Sequence, residues 1–153
     1  MINKKYLKNL RCKAINNKNN FIFDLYNERI EDSLDVISIN FKKILVLGDQ
    51  GTKIYKYIQN RYKEAKVKVY DIKTHSPKLD LDIKKNLTID LDFWAPNENE
   101  FDLIISNFYL NICEDFNKLL SKIMKSLLPN GFFLATLPSP ENFSLLRSSM
   151  MKT

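Results

Sequence analysis

The chain has 153 residues, which is enough for one domain with a single sizeable core. Its hydrophobic fraction of 44%, with 10 Phe and 7 Tyr, excludes a disordered chain. The net charge of +6 permits contact with nucleic acid but does not by itself indicate it. No apolar stretch approaches the roughly 20 residues of a membrane-spanning helix, so we expect no membrane span.

The N-terminal part, residues 1–40, is expected to form a helical segment that precedes a domain over 41–153. Residues 3–18 are basic, which is typical of a solvated helix face, with a nucleic-acid footprint as the alternative. A better helix is predicted over 24–38, with Asp24 as its cap. Its apolar residues recur at helical spacing: Ile30, Leu34 and Ile37.

Signals of export and of metal binding are weak. The charged residues after Met1 have no apolar core behind them, so we expect no secretory signal. Cys12 and Cys113 lie far apart without metal-ligand spacing, and we interpret them as reduced, buried thiols of a cytoplasmic protein. The lone His75 has no partner cluster in sequence, so no metal site is predicted.

The stretch over residues 43–58 combines a buried strand, a glycine turn and a helix. An apolar run stops at Gly48, a short loop contains Gly51, and Ile54 and Ile58 then share a helix face. The glycines let the backbone turn sharply and approach a ligand, and the helix N-terminus favours negative charge. This is the first unit of a doubly wound α/β sheet, whose ligand binds at that turn.

Further strands alternate with helical segments along the chain. The strands are predicted at 66–71, 87–90, 101–107 and 132–137. A helix over 114–128 is predicted to stop at the turn Pro129-Asn130-Gly131. This alternation predicts an α/β fold, Rossmann-like and doubly wound, with a mostly parallel sheet.

Two acidic residues stand where predicted strands end. Asp71 follows the Gly48 turn by about 20 residues, the separation at which a carboxylate grips ribose hydroxyls. Asp90 ends the next strand. Because the carboxyl ends of parallel strands line one crevice, the three residues are predicted to share a nucleotide site. The alternative is that both aspartates are ordinary loop residues at strand ends.

These motifs together resemble the class I S-adenosylmethionine-dependent methyltransferases over about residues 43–137. The resemblance rests on Gly48-Asp49-Gln50-Gly51, Asp71, Asp90, Phe101-Asp102-Leu103-Ile104-Ile105-Ser106-Asn107 and Leu128-Pro129-Asn130-Gly131-Phe132-Phe133. From Phe101 onward the chain is more narrowly similar to one subgroup. That subgroup contains the malonyl-carrier-protein methyltransferase of biotin synthesis and the methyltransferase-like assembly factor of respiratory complex I.

The resemblance implies S-adenosylmethionine as cofactor and gives each matching residue a role. The cofactor-binding residues would be Gly48, Asp49, Gly51, Asp71, Asp90, Leu91 and Asn107. The backbone around Gly48 would lie against the methionine part, and Asp71 would hold the ribose. Asp90 would face the adenine amino group with Leu91 beside the ring, while Asn107 would border cofactor and acceptor. No general base is evident, and positioning does most of the work in methyl transfer.

Several positions depart from the family pattern. Val46 stands where the family usually has an acidic residue, and Gln50 and Thr52 stand at glycine positions of its loop. Asn111-Ile112 replaces the His-Trp of the subgroup. A side chain in a left-handed conformation costs roughly 1–2 kcal/mol, so we expect weak cofactor binding or none. The alternative function is a catalytically silent methyltransferase-like binding or assembly module.

The C-terminal part is also shorter than the family pattern. The family sheet continues with two more strands, whereas this sequence stops at Thr153. We therefore expect a sheet that lacks those two strands and has the fifth strand as an exposed apolar edge. Self-association through that side, or through the helix after it, is predicted.

Overall fold

The computed structural model describes residues 21–48, 53–71, 86–88 and 90–138, together with the single residues 6 and 9. The prediction for the basic segment therefore lies almost wholly outside the described residues. The same holds for the helix expected after the fifth strand and for the lack of two further strands.

The described helices lie close to the predicted ones. Helix α1 spans Phe21–Asp35, α2 spans Lys53–Arg61 and α3 spans Phe116–Ser126, while a short 3-10 turn spans Leu110–Ile112. The prediction that Asp24 caps α1 is wrong, because the helix begins three residues earlier. The Asp24 side chain forms an ion pair with Lys53 at the start of α2 instead.

The sheet of the described residues has five strands in the order β3-β2-β1-β4-β5. Strand β1 spans Lys43–Leu47, β2 Lys66–Asp71, β3 Asn86–Thr88, β4 Phe101–Asn107 and β5 Leu127–Thr136. Each described pair of neighbours is parallel. The Rossmann-like, doubly wound prediction is confirmed. The strand order reverses between β1 and β4, and ligands bind such sheets at that point.

The β1–β4 pairing is fixed at its lower end by one side chain. The Asp102 carboxylate accepts the backbone N–H groups of Lys42 at 2.6 Å and of Lys43 at 2.9 Å. These two hydrogen bonds join the start of β1 to the start of β4. They set the register in which Leu47 lies beside Ser106 at the upper end.

The sheet separates two apolar layers, because alternate residues of a strand point to opposite faces. One layer joins the first two helices to the sheet and contains Ile30, Leu34, Ile44, Val46, Ile54 and Ile58. The other layer joins α3 and the loops to the opposite face and contains Leu45, Leu47, Ile104, Leu119 and Ile123. The central strands are therefore covered on both faces, as their continuous apolar runs predict.

Strand β5 begins earlier than predicted. Helix α3 ends at Ser126, and Leu127 already has an extended backbone while its N–H still donates to Ile123. The Pro-Asn-Gly residues form an irregularity within the strand, opposite the shift between Phe101 and Leu103 of β4. The turn signal in the sequence therefore marks a bulge within β5, shortly after the helix ends.

Strand β5 is at the edge of the described sheet. It pairs with β4 among the described residues, and Phe132 in its middle is 38% exposed. This placement agrees with the predicted edge strand. Self-association through this side stays a prediction.

A polar joint holds the end of α1 against α2. The Arg61 guanidinium forms an ion pair with Asp35 and donates to the carbonyl oxygen of Leu34 at 2.9 Å. The Tyr57 hydroxyl donates to Asp35 at 2.6 Å. Burial, and then the hydrogen bond to Asp35, raises the pKa of Tyr57, so its phenol stays protonated at neutral pH.

Glu31 is strained electrostatically beside this joint, and its replacement should stabilise the fold. Partial burial raises the pKa of Glu31, and the neighbouring Glu28 and Asp35 carboxylates raise it further. A raised carboxyl pKa means that the folded state holds the proton more tightly, so the charged form costs stability at neutral pH. We expect Glu31→Gln to raise the melting temperature at pH 7. The gain should shrink as pH falls through the ordinary glutamate range, and a gain independent of pH would contradict this cause.

Candidate functional site

The turn after β1 is built around a glycine that no other residue can replace without strain. Gly48 has a φ of +79°, and its N–H donates to the carbonyl oxygen of Tyr70 at 2.8 Å. A Cβ atom at this position would lie 2.4 Å from the Cβ of Tyr109. Tyr109 is fully buried and follows β4. The turn after β1 is therefore locked against the segment after β4, at the point where the strand order reverses.

The two predicted acidic residues lie at the same edge of the sheet as Gly48. Asp71 is the last residue of β2 and is 4% exposed, and it pairs in register with Thr88 at the end of β3. Asp90 follows two residues later, and its carboxylate accepts the N–H of Asp92 at 3.1 Å. Gly48, Asp71 and Asp90 thus lie at or just after the carboxyl ends of three neighbouring strands. Their roles toward a cofactor stay predictions.

Leu91 lies deeper than its predicted role beside an adenine ring implies. Its side chain is 1% exposed and belongs to the core layer on the α3 side. It also contributes to a cavity of about 260 Å³ between this loop and α3, lined by Leu91, Asp92, Phe93, Glu114, Asp115, Lys118, Leu119 and Lys122. The Leu91 side chain therefore packs in the core beneath the turn that contains Asp90.

Asn107 is part of a buried polar network that ties three elements together. Its amide nitrogen donates to Asn27 of α1 at 2.7 Å, and its amide oxygen accepts from the Thr136 hydroxyl of β5 at 2.5 Å. Asn27 and Asn107 are both buried. The N–H of Phe108 donates to the backbone oxygen and the hydroxyl of Thr136, each at 3.2 Å. The amide predicted to border a cofactor thus already binds protein groups on both sides.

Sequence reasoning missed the partners of this network. Asn27 could have been found, because it lies one helical turn before Ile30 on the buried face of α1, where a polar residue needs a partner. Thr136 and Tyr109 gave no comparable signal, because their contacts come from strands that are distant in sequence. The predicted residues Asp49 and Gly51 lie outside the described residues, as do the departures Gln50 and Thr52. Val46, a third departure, is packed in the core layer beside α1 and α2.

The described part of the chain has neither a metal-binding cluster nor a membrane-spanning helix. No cluster of three or more His, Cys, Asp or Glu side chains within it is arranged to hold a metal ion. Within the same residues no helix combines the length and apolar character that crossing a membrane requires.

Comparison with known proteins identifies the family. Residues 45–135, more than half of the chain, match the sequence model of a family described as "Methyltransferase domain". This chain therefore belongs to the methyltransferase domain family, as its motifs predict. The matched region runs from β1 to β5 and includes each predicted cofactor-binding residue. A comparison with curated proteins gave no match.

Solved structures show the same fold. An S-adenosylmethionine-dependent methyltransferase from Mesorhizobium loti is 20% identical, with 69% of this chain and 49% of that chain covered and a TM-score of 0.55. A Methanococcus maripaludis protein assigned to the same class is 16% identical, with 97% and 71% covered and a TM-score of 0.60. The plantazolicin methyltransferase BpumL, solved with a pentazolic desmethylPZN analog and SAH, is 15% identical, with 88% and 59% covered and a TM-score of 0.62.

These likenesses establish the methyltransferase-like fold and nothing finer, because the identities are low. The chain spans about half the length of the Mesorhizobium loti protein.

Proposed function

We propose that this chain is an S-adenosylmethionine-dependent methyltransferase whose cofactor lies along the carboxyl ends of β1, β2 and β3. The observation that carries the proposal is the placement of Gly48, Asp71 and Asp90 on three neighbouring strand ends, within the region that matches the family. An elongated nucleoside with a charged tail suits such a row, because each part of it meets a different strand. The family relationship and the SAH in the BpumL structure also support this choice of cofactor.

The residues present fit parts of this cofactor. Asp71 can accept two ribose hydroxyls, and hydrogen bonds to a charged group contribute roughly 1.5–3 kcal/mol each. The left-handed backbone of Gly48 lets the chain turn sharply at the carboxyl end of β1, where the methionine part would lie. Asp90 accepts the N–H of Asp92 within its own turn, and its carboxylate is the group proposed to face the adenine amino group.

The cofactor would supply an electrophilic methyl group on a sulfonium, and the protein's part is to place the acceptor in line with it. The crevice at the end of β1 and β4 offers that place, because it is walled by Gly48 and the Phe108–Tyr109 segment. The subgroup resemblance is the basis for proposing a small molecule, a carrier protein or a protein side chain as acceptor.

Calorimetric titration with S-adenosylhomocysteine tests the proposal. We expect micromolar affinity for the wild type. Asp71→Asn should weaken binding by about tenfold or more, since a loss of 1.4 kcal/mol already corresponds to tenfold. Asp32→Asn, on the exposed side of α1, is the matched control and should leave binding unchanged. Absence of heat with the folded wild type at high ligand concentration would overturn the proposal.

A catalytically silent binding or assembly module is the second candidate. It is favoured by the buried Val46, which cannot supply the acidic group of the family, and by Asn107, whose amide is bound to α1 and β5. Under this proposal the crevice serves as a rigid scaffold. Transfer of a radiolabelled methyl group to any acceptor by the purified chain would refute it.

A further inference from the structure

We propose that Phe23, Tyr26 and Phe108 form the acceptor-side wall of the crevice, and that the acceptor places a flat, uncharged apolar group against it. This inference rests on the proposed function, because it assigns the part of the same edge that the cofactor would leave open. We call these three side chains the aromatic wall.

The rings of the aromatic wall contact one another edge to face. The Phe108 ring centroid lies 4.4 Å from that of Tyr26, with the planes at 82°. It lies 5.7 Å from that of Phe23, with the planes at 78°. All three side chains are only half-buried, so each keeps part of its surface toward solvent. Such rings provide a large apolar surface with little conformational freedom to lose on binding.

The backbone of Phe108 is strained in a way that places its ring at the rim. Its φ is +49°, a left-handed conformation that is uncommon for a bulky residue. Two hydrogen bonds from its N–H to Thr136 hold this conformation. Strain of this kind collects at ligand sites, where surrounding structure enforces it. A core-filling role alone would not require a ring that is half-exposed at the end of a strand.

The position of the aromatic wall relative to the cofactor follows from the sheet. The proposed cofactor occupies the ends of β1, β2 and β3, whereas Phe108 directly follows β4. Its neighbour Tyr109 lies against Gly48, so the wall borders the carboxyl ends of β1 and β4, where the methyl group would be presented. The acceptor would therefore meet the wall and the methyl group together.

The chemistry around the aromatic wall indicates an uncharged acceptor group. Among the residues that the structure describes, the polar side chains that join α1 to this edge are the neutral residues Asn27, Asn107 and Thr136. The Asp24 carboxylate in the same turn of α1 is neutralised by Lys53. A phosphate backbone would need cations here. An aromatic or alicyclic group fits better, because it gains apolar contact without leaving a charge unpaired.

Methyl transfer from the sulfonium needs no oxidant, reductant or further co-reactant. A lone pair of the acceptor nucleophile forms the new bond to the methyl carbon while the carbon–sulfur bond of the sulfonium breaks. The electron pair of that bond stays on sulfur, which becomes a neutral thioether. A thiol acceptor loses its proton to solvent before the attack.

Two primary thiols of similar reactivity test the aromatic wall. We would measure binding of 2-phenylethanethiol and of 2-mercaptoethanol to the S-adenosylhomocysteine-loaded protein by saturation-transfer NMR, and then methyl transfer to each from S-adenosylmethionine. We expect the phenyl compound to be preferred by about tenfold or more, given the apolar area it buries. Phe108→Gly should remove that preference, and glycine keeps the φ of +49° without strain.

Controls separate this inference from the proposed function. Phe116→Ala removes a partly exposed ring on α3 and should preserve the preference. The wild type and each variant are first titrated with S-adenosylhomocysteine. Absence of binding in the wild type would overturn the proposed function itself. Two results would overturn the aromatic wall while cofactor binding is intact. One is that the wild type shows no preference for the phenyl compound, and the other is that Phe108→Gly keeps the preference unchanged. Displacement of the probe by mixed transfer RNA would do so as well, in favour of a nucleic-acid acceptor.

Discussion

Gly48→Ala should lower the free energy of unfolding by about 2–5 kcal/mol, which combines a left-handed backbone cost with overpacking. The new methyl group would lie 2.4 Å from the Cβ of Tyr109, and truncation of the Tyr109 ring would not remove that atom. Either the turn after β1 or the segment after β4 must move. Because the free energy of unfolding of a domain is only about 5–15 kcal/mol, this one methyl group would remove a large part of the stability. Urea denaturation followed by circular dichroism measures the loss.

Ser106→Ala is the matched control for Gly48→Ala. Ser106 lies on the neighbouring strand at the same edge, and its buried hydroxyl has no hydrogen-bond partner among the residues that the structure describes. Removal of a buried hydroxyl that lacks a partner is expected to be neutral or stabilising. Equal losses in the two variants would show that the edge tolerates no change at all. That result would contradict a specific clash at Gly48.

Asn107→Leu is expected to destabilise the fold by about 2–6 kcal/mol, because it removes a hydrogen-bond partner from two polar groups at roughly 1–3 kcal/mol each. These groups are the buried amide oxygen of Asn27 on α1 and the partly buried Thr136 hydroxyl on β5, which keeps only its hydrogen bond from the Phe108 N–H. We also expect α1 to loosen from the sheet, because the amide pair joins the two. Chemical denaturation gives the stability, and hydrogen exchange of α1 amides reports the loosening.

A triple variant distinguishes lost hydrogen bonds from lost volume. In Asn27→Leu/Asn107→Leu/Thr136→Val every member of the network becomes apolar, so no buried group is left without a partner. We expect it to recover most of the stability that Asn107→Leu loses. Asn117→Leu, on the exposed face of α3, controls for the substitution itself and should be nearly neutral. A triple variant no more stable than the single one would indicate that shape, not hydrogen bonding, holds the network.

The layers of the fold could be predicted because their signals are local. Continuous apolar runs in β1 and β4 indicate strands covered on both faces, and the spacing of Ile30 and Leu34 indicates the buried side of α1. The predicted ends of the helices and strands were less accurate than their existence and type. Asp24 is a residue type that often caps helices, but its carboxylate forms an ion pair with Lys53 across the α1–α2 contact. Likewise the Pro-Asn-Gly turn became a bulge, because the partner strand β4 continued to pair beyond it.

The candidate site could be predicted only where topology alone decides it. Gly48, Asp71 and Asp90 follow successive parallel strands, so their common edge follows from the fold class. The depth of Leu91 and the bonding of Asn107 depend on packing between elements distant in sequence, which no local pattern records. The positive φ of Phe108 belongs to the same category, because hydrogen bonds from β5 impose it on a residue that does not favour it.

The bond between Lys42 and Asp102 spans 60 residues of chain. Strand β1 therefore cannot pair with β4, one of its two neighbours, until β4 has left the ribosome. During that interval a bare apolar strand edge is open to other nascent chains, and long-range parallel pairing is intrinsically slow. Slow translation between the two strands, or early engagement of a chaperone, should thus govern the yield of native protein more than the strength of any single contact.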